Sequence, residues 1–374
     1  MTGAQSVKQN SIKTREKPDH PVIDGDGHLV EVGPVFRDYL KQVGGSGIIA
    51  RYREVMEAAF YRWYRASREE RRHARICRPP FWIVTTDTSD RAAVMMPALL
   101  RERMDAFGID FMMLYPTTGI VFPEIPDEDV RRATARAANI MNAELFAPHA
   151  DWMAVPAIIP THTPAEAIAE LDFAVGGLGL KTTMMAGAIL RTVPAARDAA
   201  PELNAEYLSH WIDCLALDSA YDYDPVWQRC IDLGVTVTTH QNSQGWVNRA
   251  SISNFNYNHI GHFAATSDVF CKALFFGGVT RRFPNLNFAF LECGVGWACA
   301  LYNDLIGHWE KRSICALMRN LDPANVDNAK IVELVERYAA DHLKTTMIET
   351  VRRDPAALRP EQPQNPGELD EWAA

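Results

Sequence analysis

The stretch Val22-Ile-Asp-Gly-Asp-Gly-His-Leu-Val-Glu31 places Asp24, Asp26 and His28 at alternate positions behind two β-branched residues. Alternate side chains of a β-strand point to one face, so this spacing puts two carboxylates and an imidazole on a common wall. Such a set suits a divalent cation. Gly25 and Gly27, lying between them, carry no side chain and allow other backbone or a ligand to come close. The same letters also spell turn signals, and by itself D-G-D-G-H is more often a loop than a metal site. The residues that decide between the two readings lie further along.

A ligand wall needs a scaffold, and the apolar patterning supplies one. A first strand is predicted at 21–28, a helix at 96–107 stopped by Gly108, and a near-continuous apolar strand at 109–116, the mark of a sheet buried on both faces. The unit then recurs. Helix 127–146 leads to strand 152–160, which has Pro156 at its centre, and a capping-box pattern at Thr163–Glu166 opens a helix before strand 178–185. After a less regular insertion over 187–222 come helix 225–234, strand 235–240, helix 264–282 and strand 287–292. Serial β-α units imply a parallel sheet, open or closed into a barrel. Helices are expected at 295–311 and 329–353, and no strand candidate follows them.

Functional groups of parallel α/β folds gather at the carboxyl ends of the strands. Here the first strand carries Asp26 and His28, the fifth ends on His240 and the sixth ends on Glu292. Each has a plainer role when taken singly: His240 as a core histidine bonded to backbone, Glu292 as the cap of the glycine-rich turn after it. Their joint placement favours a site. Two histidines and a carboxylate suit zinc or a similar ion with a coordination position left for water.

Composition bounds the remaining choices. The chain has 374 residues, 47% hydrophobic and 23% charged, the profile of a soluble globular protein. Its net charge of −9 argues against nucleic acid as a partner, because phosphate binding draws on surplus Lys and Arg. Locally, residues 51–78 hold nine arginines against four glutamates; this reads first as a solvated helix face and second as a contact for a substrate carboxylate or a partner. Seven cysteines without CxxC spacing, no apolar leader and no run of membrane-spanning length point to a reduced, cytoplasmic protein. No GxGxxG or GxxxxGK[ST] follows a strand, which disfavours a nucleotide-binding sheet. The expected organisation is a disordered arm over 1–20, one domain over 21–353 with helical segments at 50–80 and 325–353, and a flexible proline-rich tail over 354–374.

Three blocks carry a resemblance: D-G-D-G-H at 24–28, T-T-H-Q-N at 238–242, and R-R-F-P-N-L-N-F-A-F-L-E-C-G-V-G-W at 281–297. Together they resemble the amidohydrolase-related branch of the amidohydrolase superfamily, which includes the aminocarboxymuconate semialdehyde decarboxylase-like enzymes. The resemblance implies a (β/α)8 barrel with one catalytic divalent metal, zinc or alternatively manganese, held by Asp26, His28 and His240. Family members often place an acid-base histidine where this chain has Glu292, so the resemblance implies a catalytic role for Glu292, with His259 and His262 as loop histidines able to supply the missing imidazole. It also implies an aspartate on an eighth strand, for which this chain offers no counterpart: Asp341 falls in a helix pattern, and Asp354 and Asp370 lie in or beside the tail. The expectation is therefore an incomplete barrel of six β-α units. Its implied function is a metal-dependent hydrolase acting on a small, carboxylate-bearing organic molecule, with non-oxidative decarboxylation as the alternative and a catalytically silent scaffold as the third reading. Homo-oligomerisation is compatible with the two sheet edges that such a barrel leaves open.

Overall fold

A computed structural model describes residues 18–56, 61–81, 87–203, 209–240, 250–322 and 325–353; most of the expected arm and the whole of the tail, with Asp354 and Asp370, lie outside them. The parallel strands are β1 (Ile23–Leu29), β2 (Phe111–Pro116), β3 (Met153–Ala154), β4 (Ala157–Ile159), β5 (Thr183–Met185), and, after an antiparallel ribbon of β6 (Ile189–Thr192) and β7 (His210–Asp213), β8 (Val237–Thr239) and β9 (Phe288–Phe290). They pair in the orders β1-β2-β3 and β4-β5-β8-β9. With β3 and β4 counted as one interrupted strand, the expected six β-α units are present. Chain order equals sheet order, as in a barrel wall; a doubly wound sheet reverses direction at a switch point. Among the described residues the wall does not close.

The interruption falls at Val155-Pro156, where a continuous strand over 152–160 was expected. Proline has no N–H to give to a ladder, and the pairing stops there. The backbone of Ile158 is satisfied by a side chain instead. Asn139 of helix Glu128–Phe146 donates Nδ2–H to the Ile158 carbonyl (3.0 Å) and accepts the Ile158 amide (2.8 Å). The Asn139 amide also donates to Glu170 (2.8 Å), and the buried Arg131 guanidinium grips Glu166 through two bonds of 2.8 and 3.0 Å. A buried ion pair of this kind stabilises little in net terms but fixes geometry.

Residue alternation sorts the two faces of the wall. Leu114, Ala157, Ile159, Met185 and Val237 pack against helices Pro97–Phe107, Pro164–Leu171, Asp224–Leu233 and His262–Phe276, through side chains such as Met104, Leu171, Trp227 and Phe270. Tyr115, Ile158 and Met184 point the other way, into a cluster with Phe36, Leu40, Phe122 and Phe263. Tyr115 Oη donates to Thr238 Oγ1 at 3.0 Å. Because β2 and β8 are not neighbours in the sheet, that bond shows the wall curling upon itself.

Other expectations are refined. The predicted helix 264–282 is two, His262–Phe276 and Val279–Arg282, parted at Gly277-Gly278, where Gly278 has φ +68°. The insertion over 187–222 contains the β6–β7 ribbon, pinned by Arg191, which pairs with the fully buried Asp213 and donates to Tyr223 Oη (3.0 Å). The arginine-rich stretch belongs to helix Gly33–Met56, kinked at Gly45, and to the short helices Arg62–Arg65 and Arg68–His73. Its arginines are only partly a solvated face. Arg51 binds Asp127 and Asp129 at the start of helix Glu128–Phe146, and Arg71 lies over the Trp63 ring at 3.8 Å.

Residues from Val295 onward form a second compact unit, separate from Met1–Gly294. It contains helices Gly296–Arg312, Ile314–Asn320, Asn328–Tyr338 and Asp341–Arg353, so the single helix expected at 329–353 is two. Asp341 sits exposed in the first turn of the last helix and pairs with Lys344 at 2.8 Å. Among the described residues no strand follows β9.

Two outcomes follow from this packing. Asn139→Ala leaves a buried donor and a buried acceptor unpaired, and urea unfolding should show a loss of about 2–4 kcal/mol. His162, half-buried, is depressed from 6.5 to about 3 by burial and by the charges of Arg131 and Arg191. The unfolded chain therefore takes up a proton below pH 6.5 that the folded chain refuses until about pH 3. Stability falls over that window, and His162→Gln should flatten the fall in melting temperature with pH.

Candidate metal centre

Four side chains converge at the carboxyl ends of β1, β8 and β9. His240 follows directly on β8 and is 1% exposed, while Asp26 and His28 on β1 are half-buried. His240 Nε2 lies 3.0 Å from His28 Nε2 and 3.5 Å from Asp26 Oδ1. One ligand atom from each of the three falls within 4.8 Å of the others. Glu292 Oε2 stands 3.3 Å from His240 Nε2 and 3.8 Å from His28 Nε2. The Glu292 amide donates to Asp26 Oδ2 at 2.9 Å, which ties the chain beyond β9 to β1.

The local sequence explains each position. His28 lies opposite Tyr115 and Gly27 opposite Leu114, so His28 and Tyr115 share the inner face. A register shift between Asp24 and Gly27 adds one residue to β1, pairing Asp24 with Met112 on the outer face. This bulge corrects the expectation that Asp24, Asp26 and His28 form one wall. Asp24 Oδ1 instead accepts the Asp26 amide at 3.1 Å. The two glycines differ as well. A Cβ on Gly27 would meet Leu114 at 3.0 Å and Met112 and Asp24 at 3.2 Å, whereas one on Gly25 would meet nothing within 4 Å. Glu292 takes a left-handed backbone (φ +51°), followed by Gly294 at φ +62°. A bulky non-glycine residue held there is unusual and occurs where the surroundings over-determine it.

Burial sets the electrostatics. Asp26 is raised to about 6 by desolvation, against the pull of His240 and the Glu292 amide. His28 is lowered to about 4 by burial and by His240. Burial pushes Glu292 upward, but the hydrogen bond and charge of His240, with the charges of His28 and His259, outweigh it and hold the carboxyl below its usual range. The cluster thus sets His28, an imidazole that resists protonation, beside a Glu292 that stays ionised.

That donor set fits a divalent cation. Two Nε2 atoms lie 3.0 Å apart, and beside them Asp26 Oδ1 is buried without a hydrogen-bond partner. Nitrogen and carboxylate oxygen facing one centre is the ligand chemistry of zinc and related ions.

His259 and His262, expected in a loop, instead end helix Phe255–His259 and begin helix His262–Phe276, beside this cluster. His262 is buried and its Nδ1 lies 2.7 Å from the His259 carbonyl oxygen, while its Nε2 is buried without a partner. Its ring packs on Phe263, and Phe263 in turn meets His240 edge-on at 5.1 Å between centroids. Three contributors, Tyr115, Trp63 and Arg78, escaped the sequence reading. Tyr115 lies 5.6 Å from the His240 ring and floors the cluster; its signal was the apolar strand ending in Tyr-Pro. Trp63 and Arg78 anchor the segment that follows the fifth parallel strand, Trp63 Nε1 donating to the Ile252 carbonyl (2.7 Å) and the Arg78 amide to that of Ser251 (3.1 Å). No local pattern announces that contact.

Residues 23–343 match the amidohydrolase family, and the chain belongs to that family of metal-dependent enzymes. No curated protein matches the sequence. Similar solved structures include 2,6-dihydroxybenzoate decarboxylase from Rhizobium, 19% identical with a TM-score of 0.41 over 72% of this chain and 65% of that one. An amidohydrolase from Mycobacterium avium subsp. paratuberculosis K-10 is 20% identical with a TM-score of 0.45 over 61% and 58%. A dihydroxybenzoic acid decarboxylase from Polaromonas sp. JS666, with bound manganese and 2-nitroresorcinol, is 16% identical with a TM-score of 0.44 over 72% and 64%. The chain spans less than two thirds of the length of each of these three proteins. Among the described residues no helix is long and apolar enough to cross a membrane, and no disulfide joins the seven cysteines.

The bulge makes a sharp prediction. Gly27→Ala should destabilise the fold by about 1–3 kcal/mol through overpacking, while Gly25→Ala should leave the unfolding midpoint nearly unchanged; chemical denaturation of the pair checks it.

Proposed function

We propose that this chain is a metal-dependent hydrolase acting on a small, carboxylate-bearing organic molecule. Asp26, His28 and His240 hold the ion, zinc with manganese as the alternative, and Glu292 is the base. One observation carries the reading: an ionised carboxylate, Glu292, stands within 3.3–3.8 Å of both imidazoles that would ligate the cation. When bound, a divalent ion at such a centre supplies Lewis acidity and lowers the pKa of water to about 7.

The chain's own residues do the rest. Burial keeps His28 neutral and available as a ligand, and the amide bond from Glu292 fixes the Asp26 carboxylate. Glu292, held ionised by His240, accepts a proton from the attacking water and passes it to the leaving group as general base and then acid. His262 and His259 pack against Phe263, and the charge of His259 adds to the hold on the ionised form of Glu292. Tyr115, locked to Thr238 and raised to about 12 by burial, stays protonated and keeps the floor of the site dry.

Non-oxidative decarboxylation is the second reading. The unpartnered, buried Nε2 of His262 favours it, because that reaction requires a proton donor for the carbon left behind. A scaffold without activity is the third, supported by the lack of a further strand-borne carboxylate after β9 among the described residues. The working surroundings are cytoplasmic and the partner a small molecule; the open edges of β1 and β9 suit a homo-oligomer.

The test is metal analysis followed by assay. After incubation with zinc or manganese and dialysis, the protein should retain one ion per chain, and His28→Ala or His240→Ala should lose it. Glu292→Gln should keep the ion while the rate falls by about 10²–10⁴-fold. Assay against small carboxylate-bearing amides and lactones, and against hydroxybenzoates for release of CO2, separates hydrolysis from decarboxylation. A folded protein that takes up neither ion establishes the scaffold.

A further inference from the structure

A second pocket lies on the opposite face of the strand that carries His28. Leu29, the next residue of β1, points outward into a pocket of about 120 Å³, walled by Leu100, Met141 and Phe146. Val32, Val35 and Leu145 line it as well and are exposed, so the mouth is apolar. At its wall is Asn142 of helix Glu128–Phe146, 1% exposed, with neither its Nδ2 nor its Oδ1 hydrogen-bonded. Asn139, one turn earlier, has both ends of its amide satisfied. A buried amide with both ends unpaired is costly, by about 1–3 kcal/mol for each group, and native interiors rarely carry one without a ligand or ordered water to complete it.

We propose that this pocket binds a small neutral amide through Asn142. The unpaired atoms are one donor and one acceptor side by side, and the group that answers both at once is another amide, in a cyclic pair of hydrogen bonds. A carboxylate, having two acceptors and no donor, leaves Oδ1 unanswered and meets Glu31, which lines the same pocket. Glu31 itself is occupied, accepting the amides of Thr118 (2.9 Å) and Gly119 (2.7 Å). Size sets a further limit. A cavity of about 150 Å³ accommodates benzene, so this one takes about five or six non-hydrogen atoms. The ligand is then a short branched or linear aliphatic amide, its carbon body against Leu100 and Phe146 and its amide on Asn142.

The test uses the full chain and isobutyramide as probe, followed by ligand-observed NMR titration. Saturable binding is expected, weaker by about 10-fold or more for 3-methyl-2-butanone, the isostere that lacks the donor, and for isobutyrate. Asn142→Leu should abolish amide binding. Should that variant fail to fold, Leu145→Trp closes the mouth while leaving Asn142 intact and should abolish it too. No saturation in the wild-type protein overturns the proposal, as does equal binding of amide and ketone, or undiminished binding to either folded variant. The metal analysis above reads separately, since neither Asn142 nor Leu145 belongs to that centre.

Discussion

The bond from the Glu292 amide to Asp26 Oδ2 joins the two extremes of the parallel wall. β1 and β9 are the outermost strands of the sequence of pairings, with four strand positions between them, and nothing in the ladder itself brings them together. Twist and curl of a parallel sheet carry their ends toward each other, and this bond fixes where they meet. His28 and His240 meet beside that contact, where Glu292, in a left-handed backbone, stands 3.3–3.8 Å from both.

That convergence also accounts for the unusual electrostatics. Drawing two imidazoles and two carboxylates into one half-buried volume removes water from all of them. Asp26 and His28 are both pushed toward their neutral forms, in opposite directions on the pH scale, while Glu292 is rescued by its contact with His240. Left alone, such a cluster is a poor arrangement, because the buried Asp26 Oδ1 has no donor. A divalent charge at its centre reverses that defect, since the ligands must be unprotonated and their lone pairs must converge. Belonging to the amidohydrolase family is consistent with that chemistry.

The supporting shell is built from polar substitutions for missing backbone bonds. Where Pro156 stops the ladder, Asn139 supplies the donor and acceptor that Ile158 would have found in a neighbouring strand. Where the segment after the fifth parallel strand leaves the sheet, Asn258 bonds the Arg78 carbonyl and both backbone groups of Ser251. Three of the arginines that read as a solvated face serve the same end, Arg71 donating to the Trp63 carbonyl, Arg75 to that of Ala250 and Arg78 to that of Ser253.

Periodicity and strand-end position in the sequence determined the six β-α units, their parallel arrangement and the identities of Asp26, His28, His240 and Glu292 as the candidate cluster. These are local signals, set by side-chain alternation and by the apolar runs that a doubly covered sheet requires. Only the tertiary structure decided that Asp24 leaves the wall, because a bulge depends on the partner strand: one extra residue between pairings with Met112 and Leu114 reverses a side chain's face without changing a letter. The places of Tyr115, Trp63 and Asn142 were decided in the same way. Each acts through residues many tens of positions distant or through the space they leave, and such contacts exist only once the wall has curled.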